Sequence, residues 1–563
     1  MGALGSYYPR GDQRIIYISD PSSSLRSYLP ERPREEDLRN WVDDLADAQV
    51  DTFIQEVYTQ GWTTYWRCER FEYDQRPQHQ CLLPLLDAGI QPLSVLIDQS
   101  HKRGMKFIAG LRINDDHGHI SLEQGVGAGS TFLTNNPQWK INDLPSGEAY
   151  QLSSFLDFTF SEVRDYIISI AEELVRNFDV DGLELCFRDR IYFPAGKSRD
   201  RESLMTDMVK KVHEMLYNEN QAKGVKLKLG ARVFQTINDC RDMGLDVTTW
   251  ITKGYLDYVS PSDQMNTDIN APYDEFTTIT RAQDKPCYLY PAILPWMSNR
   301  SERRLNRKPL TIEQMRAVTQ NYYGAGADGI SIYNHFVSND WAPFYPMQLY
   351  DMVELRDPIR VTTRRKHYVF EPLWGGCTFH GLDCSPTGIV KADKIVLKRR
   401  ETGKSASYRF RICEDFIKVR KASLLFRAGY MSLEDRIRVC INDEEVPQNS
   451  IRLNNNEKRI KAAPIETATD RAIRKLKEGE EKVAVHDNTI KGDTFLHDPQ
   501  TTGRGHPIIQ KEIDRPTTTC WFELNSPPAI YGDNWLQVAL ILSDPNIDED
   551  IIIDEIEVFV IHE

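Results

Sequence analysis

Glu184 is the residue whose surroundings most demand a chemical explanation. The run Val180-Asp181-Gly182-Leu183-Glu184-Leu185-Cys186-Phe187 has the texture of a strand. Period-two alternation puts Gly182, Glu184 and Cys186 on one face and Leu183, Leu185 and Phe187 on the other. A carboxylate flanked by apolar strand residues is costly unless it points into a polar cavity, so Glu184 is expected to open onto a wet, ligand-sized hollow. The bland alternative is a structural Glu paired with an interior arginine such as Arg112 or Arg232. A second carboxylate, Asp263, follows Tyr258-Val259-Ser260-Pro261-Ser262 and would face the same mouth, unless it only closes a turn. Two such carboxylates are what glycosidic cleavage needs: one protonates the leaving oxygen and the other attacks the anomeric carbon or activates water.

Other residues could hold the substrate. The run Arg112-Ile113-Asn114-Asp115-Asp116-His117-Gly118-His119 crowds Asp and His at a strand end. Such groups hydrogen-bond vicinal sugar hydroxyls, and Asn114, Asp116 and His117 are assigned that role. The sharper alternative is a metal-dependent hydrolase with Asp116, His117 and His119 as ligands, although no second ligand cluster is evident. Glu56 lies on another strand, followed by Gly61-Trp62-Thr63-Thr64-Tyr65-Trp66, where Trp62 would stack on a sugar face. Tyr290 and Trp296, Asn334 and His335, and Arg188 with Asp189 complete the expected ring. Three arginines at strand ends, Arg112, Arg188 and Arg232, offer a counter-charge for Glu184 or a fork for the carboxylate or sulfate of an acidic sugar. No cofactor and no metal are expected.

These residues need a scaffold that brings strand ends together. Eight β-branched runs are strand candidates: 14–19, 52–58, 106–113, 182–187, 226–233, 256–260, 287–292 and 329–334. Amphipathic helices lie between them, at Glu36–Leu45, Ser161–Phe178 and Thr311–Tyr323, with Ser161 as an expected N-cap. A cadence of helix, Asp-Gly and strand recurs at Asp181-Gly182 and Asp328-Gly329, with a looser form at Asp51. Eight βα units imply a (β/α)8 TIM barrel over residues 1–366, with chemistry at the carboxyl ends of its strands. The rival, an open doubly wound sheet, lacks the Gly-rich turn it would need after the first strand. Beyond residue 366 the period becomes two, as in Tyr408, Phe410, Ile412 and Ile437, Val439, Ile441. Residues 367–563 therefore read as an antiparallel β-sandwich, with a charged excursion near 454–507 and a short helix around Asp470–Lys477.

The chain's 563 residues carry 69 Lys plus Arg against 83 Asp plus Glu, a formal net charge of −14. That balance argues against a general nucleic-acid or anionic-membrane binder. No uninterrupted apolar run reaches the ~18–20 residues a spanning helix requires. Ten cysteines are scattered without a C-x-x-C pair, which suggests reduced thiols and a cytoplasmic location, or a secreted protein whose leader is absent from the sequence. The expected partner is an oligo- or polysaccharide, with homo-oligomerisation left open.

The segment Leu156-Asp157-Phe158, the following helix and Val180-Asp181-Gly182-Leu183-Glu184-Leu185 resemble the bacterial glycosyl-hydrolase-like family 10 proteins. The run Met105-Lys106-Phe107 to Arg112-Ile113-Asn114 fits the same pattern. The resemblance covers roughly residues 10–360. It implies a glycosidase-type barrel, loosely related to the α-amylase superfamily, with an appended β-sandwich and a saccharide substrate. Relatives commonly carry Asp-Gly-x-Glu-x-Asp here, the last Asp aligning with the amylase-type nucleophile. This chain has Cys186 instead. Either Glu184 acts with Asp263 or Asp189 as its partner, or hydrolysis has given way to a non-catalytic carbohydrate-binding role. A purely structural barrel is the remaining alternative.

Overall fold

The computed structural model describes residues 8–21, 25, 29–58, 60–74, 77–114, 129–141, 155–187, 191–262, 267–294, 310–333, 350–370, 395–455, 516–525 and 528–562. Its first part is a curled parallel sheet with helices, an α/β arrangement of TIM-like type. The strands are β1 (Ile15–Ser19), β2 (Thr52–Tyr58), β3 (Lys106–Arg112), β4 (Gly182–Cys186) and β5 (Lys228–Val233), then β6 (Tyr258–Pro261), β7 (Tyr288–Leu289), β8 (Ala292–Ile293) and β9 (Ile330–Tyr333). They pair in the order β7-β6-β5-β4-β3-β2-β1-β9-β8. The expected seventh strand is thus two short ones interrupted at Tyr290-Pro291. Proline has no N–H to contribute to a ladder. The extended stretch bonds β6 through its first half and β9 through its second: Tyr290 N donates to Val259 O and Ser331 N to Pro291 O, each at 3.0 Å.

The Asp cadence proves to be a set of clips at the amino ends of the strands. Asp51 accepts from the Ile15 amide (2.9 Å), Asp181 from Phe107 (2.8 Å), Asp257 from Leu229 (2.9 Å) and Asp328 from Leu289 (3.0 Å). Each aspartate precedes one strand and caps an open donor on a strand earlier in the chain. The helix Ser161–Asn177 follows the predicted periodicity, burying Val163, Ile167, Ile170, Ala171 and Leu174. Its N-cap is Phe160, and the Ser161 hydroxyl turns to Glu162 instead of capping the helix. The helix Ile312–Gly324 is closed by Thr311 and Gln314 in a reciprocal capping box.

Two apolar groups flank the parallel sheet. The larger fills the space between strands and helices, while Ile16, Ile18, Ile54, Ile108, Tyr258, Tyr290 and Tyr333 form a separate inner cluster. The carboxyl part of the chain supplies β10 (Lys366–Phe370), β11 (Ile395–Leu397), β12 (Ser405–Ile412), β13 (Val419–Gly429), β14 (Arg436–Ile441), β15 (Glu444–Glu445), β16 (Arg452–Asn454), β17 (Thr517–Glu523), β18 (Gly532–Leu542) and β19 (Ile551–His562). They form two antiparallel sheets, ordered β10-β19-β13-β17-β16 (with β11 also on β19) and β12-β18-β14-β15. Asn442 and Asp443 both take positive φ, 51° and 68°, in the tight turn between β14 and β15. Asn321 on the helix Ile312–Gly324 joins the two halves: its amide donates to Ile269 O and Arg411 O, and its oxygen accepts from Cys413 N. The excursion expected near 454–507, with the helix at Asp470–Lys477, lies outside the described residues except for its first two positions.

Candidate active site

Strand register assembles a polar group inside the curled sheet. Glu184 is level with Gly110 of β3 and Gly230 of β5, and Gly110 is level with Glu56 of β2. One step nearer the carboxyl ends, Arg112, Cys186, Arg232 and Ser260 lie side by side on β3 to β6. Arg112 is fully buried, with Nη2 at 2.8 Å from Asp20, 3.0 Å from Glu56 and 2.9 Å from the Tyr333 hydroxyl. Arg232 places Cζ over the Tyr333 ring, 3.7 Å from its centroid, and donates from Nε to Ser262 Oγ at 3.2 Å. Its Nη1 is 3.8 Å from Glu56 Oε1.

Glu184 is held differently. Tyr258, on β6, donates its hydroxyl to Glu184 Oε2 at 3.1 Å, reaching past the intervening strand β5. Gly230 makes that reach possible, because a Cβ there would sit 1.9 Å from Tyr258 Cζ. Gly230→Ala is therefore expected to push the ring aside, costing about 1–3 kcal/mol of stability as an overpacked core does. Urea unfolding checks the cost. A variant as stable as the wild type would show that Tyr258 is not constrained there.

The charges nearly balance without Glu184. Two guanidinium groups, Arg112 and Arg232, lie within ion-pair distance of two carboxylates, Asp20 and Glu56. Among the described residues no cation lies within that distance of Glu184. Burial pushes its carboxyl up from 4.5 to about 7; Arg232 and the Tyr258 hydrogen bond pull it down, while Glu56 pushes it further up. Glu184 is thus substantially protonated near neutrality, the state a proton donor needs. Cys186 is also fully buried, and burial raises its thiol far from ionisation, so it is no nucleophile.

Residues 22–211 match the glycosyl hydrolase-like 10 family. The family resemblance read from the sequence is borne out over that span. Glycosyl hydrolase YngK of Bacillus subtilis is 24% identical over 244 residues, covering 36% of this chain and 45% of that protein. The alignment thus spans less than half the length of that relative. A glycoside hydrolase domain from Bordetella bronchiseptica is 12% identical, covering 62% of this chain and 99% of that one at a TM-score of 0.39. An Anoxybacillus α-amylase is 13% identical, covering 76% and 91% respectively at a TM-score of 0.38.

Within this glycosyl hydrolase-like 10 region and beyond it, the expected site residues divide. Glu56, Arg112, Glu184 and Arg232 come together in the polar group. Glu184 is 0% exposed, so its polar surroundings are a cage made by the protein rather than the open hollow expected. It is not sealed against an arginine either, since Arg112 is engaged by Asp20 and Glu56. Asn114 is corrected to a positioning residue: it is buried, its oxygen accepts from Leu156 N, and its amide donates to Leu156 O and Ile191 O, leaving no N–H for a sugar. Trp62 is no stacking platform. At 1% exposure it packs against Phe132, Phe158 and Tyr166 in the layer between sheet and helices. Tyr290 belongs to the inner apolar cluster, packed on Tyr258 at 5.9 Å, and is not a rim residue. Asp263, Asp116, His117, Arg188, Asp189 and Asn334 lie outside the described residues, as do Asp115, His119, Trp296 and His335. Among the described residues, no group of three or more His, Cys, Asp or Glu could hold a metal ion. The eight described cysteines form no disulfide with one another, and no single described helix is long and apolar enough to cross a membrane.

Sequence reasoning missed Asp20, Tyr258, Ser262 and Tyr333. Asp20 and Ser262 each follow a strand directly, and Tyr333 ends one, so strand-end position was the available signal.

Proposed function

We propose that this chain is a glycosidase that cleaves an oligo- or polysaccharide, with Glu184 as the proton donor to the leaving oxygen. Its scaffold would be a closed (β/α)8 barrel over residues 1–366, braced by a β-sandwich over 367–563. The observation that carries the proposal is a buried carboxyl on β4, raised to about 7, with one tyrosine hydrogen bond and no cation in ion-pair contact among the described residues. Glu56 and Asp20 are committed to arginines, so the second catalytic carboxylate is assigned to Asp263. The family of residues 22–211 supports carbohydrate chemistry in general. Incubation with a broad oligosaccharide panel, followed by product analysis, tests the proposal; no cleavage of any member counts against it.

A proton donor must lose activity as it ionises, so the rate should fall above pH about 7. The Tyr258 hydroxyl stabilises the ionised form, so Tyr258→Phe should move that limb to higher pH. A pH–rate profile of the two proteins checks the sign. A limb that moves to lower pH would remove Glu184 from the role.

The buried Cys186, where relatives are expected to carry the nucleophilic Asp, favours one second reading: a sugar-binding protein without turnover. Binding in the same panel without products would select it.

A further inference from the structure

The arginine that lies on Tyr333 holds more hydrogen-bonding capacity than the protein uses. Arg232 is 1% exposed, its Nε is taken by Ser262, and neither Nη1 nor Nη2 has a hydrogen-bond partner. In the same polar group, Glu56 Oε1 and Glu184 Oε1 are also buried without hydrogen bonds. Leaving such atoms unpaired costs roughly 1–3 kcal/mol each, more for charged groups. Four of them in one polar group therefore mark a place for a guest.

The guest's chemistry follows from the signs of the unused groups. Arg232 offers only donors. Glu56 offers only an acceptor, while Glu184 accepts or donates according to its protonation. A carboxylate or sulfate could satisfy the guanidinium, but its oxygens would meet Glu56 Oε1 with no proton between them. It would also place an extra negative charge in a buried group whose arginines are already countered by Asp20 and Glu56. A hydroxyl both accepts and donates. Adjacent hydroxyls on a sugar ring could take N–H bonds from the two Arg232 nitrogens, return an O–H bond to Glu56 and accept one from protonated Glu184, adding no charge.

We infer that Arg232, Glu56 and Glu184 together form a subsite for the vicinal diol of a neutral sugar ring, and that the acidic sugar suggested by the strand-end arginines is excluded from it. This inference rests on the carbohydrate reading of the site. It does not require turnover.

The test uses the full chain and calorimetric binding of length-matched neutral and uronate-bearing oligosaccharides, with products monitored in parallel. Neutral glycans should bind at least tenfold more tightly than their uronate counterparts. Arg232→Lys should weaken neutral binding about tenfold or more, because one ammonium cannot replace a two-nitrogen fork. Tighter binding of uronates, equal binding by a folded Arg232→Lys variant, or no glycan binding would each overturn the inference. So would a glycan-soaked structure in which water alone satisfies these four atoms. Should Arg232→Lys fail to fold, the wild-type preference decides. Neutral preference without products supports the subsite and sinks the glycosidase; products with a uronate preference do the reverse.

Discussion

Glu184→Gln is expected to lower the turnover number about a thousandfold while leaving the fold intact and, above neutrality, more stable. Glutamine matches the shape of the protonated acid and can keep the Tyr258 hydrogen bond, but it has no proton of useful acidity to donate. General acid catalysis contributes about 10²–10⁴-fold, which sets the size of the loss. The stability gain follows from linkage. The folded-state carboxyl titrates near 7 and the unfolded one near 4.5, so between those values the folded chain holds a proton the unfolded chain has released. Wild-type stability from this group is therefore full below 4.5 and falls as pH rises through 7, by about 3 kcal/mol at most. The glutamine variant lacks that slope. Steady-state kinetics together with urea melts at pH 5 and pH 8 test both parts. Full activity in the variant, or an unchanged pH slope, would show that Glu184 neither donates nor titrates as described.

Arg112→Met should destabilise the protein by roughly 3–5 kcal/mol, the cost of leaving buried carboxylates without their counter-charge. Arg112 is 0% exposed and contacts Asp20, Glu56 and Tyr333 through one nitrogen, so its removal takes that counter-charge from Asp20 and leaves Glu56 the longer 3.8 Å contact with Arg232. Adding Asp20→Asn to Arg112→Met should recover much of the loss, because Glu56 and Arg232 then still balance each other. By contrast, cutting the exposed pairs of Arg103 with Asp43 and Asp47 should cost under about 1 kcal/mol, since water screens them. Chemical denaturation of the four proteins reads the comparison. A mild Arg112→Met, or a failed rescue, would mean that the buried charges are compensated elsewhere.

The strands of the parallel sheet were legible because they are local. The run around Glu184 declares its own alternation, and the structure keeps Glu184 on the inward face with Gly182 and Cys186. The helix Ser161–Asn177 likewise announces its buried stripe. Trp62 was misread for an equally physical reason. It lies just after β2, in a turn where Gly61 and Trp62 both take positive φ, 72° and 59°, and its ring packs between sheet and helices. A residue past the end of a strand no longer obeys the strand's alternation. Asn114 likewise lies past the end of its strand, β3, with φ of 62°, and its side-chain amide joins the backbone near Leu156 and Ile191.

The amino-acid order alone thus determined that an acidic group on β4 faces inward among small and polar neighbours, because side-chain direction along a strand is set by backbone geometry. It also determined the spacing that makes the parallel sheet. Which groups that acid meets was decided only by the tertiary structure. Pairing β4 with β3 and β5 brings glycines alongside it, lets Tyr258 cross a strand to hold it, and hands both arginines to other carboxylates. Those choices depend on register between segments tens to hundreds of residues apart, and no local pattern in the chain encodes register across such distances.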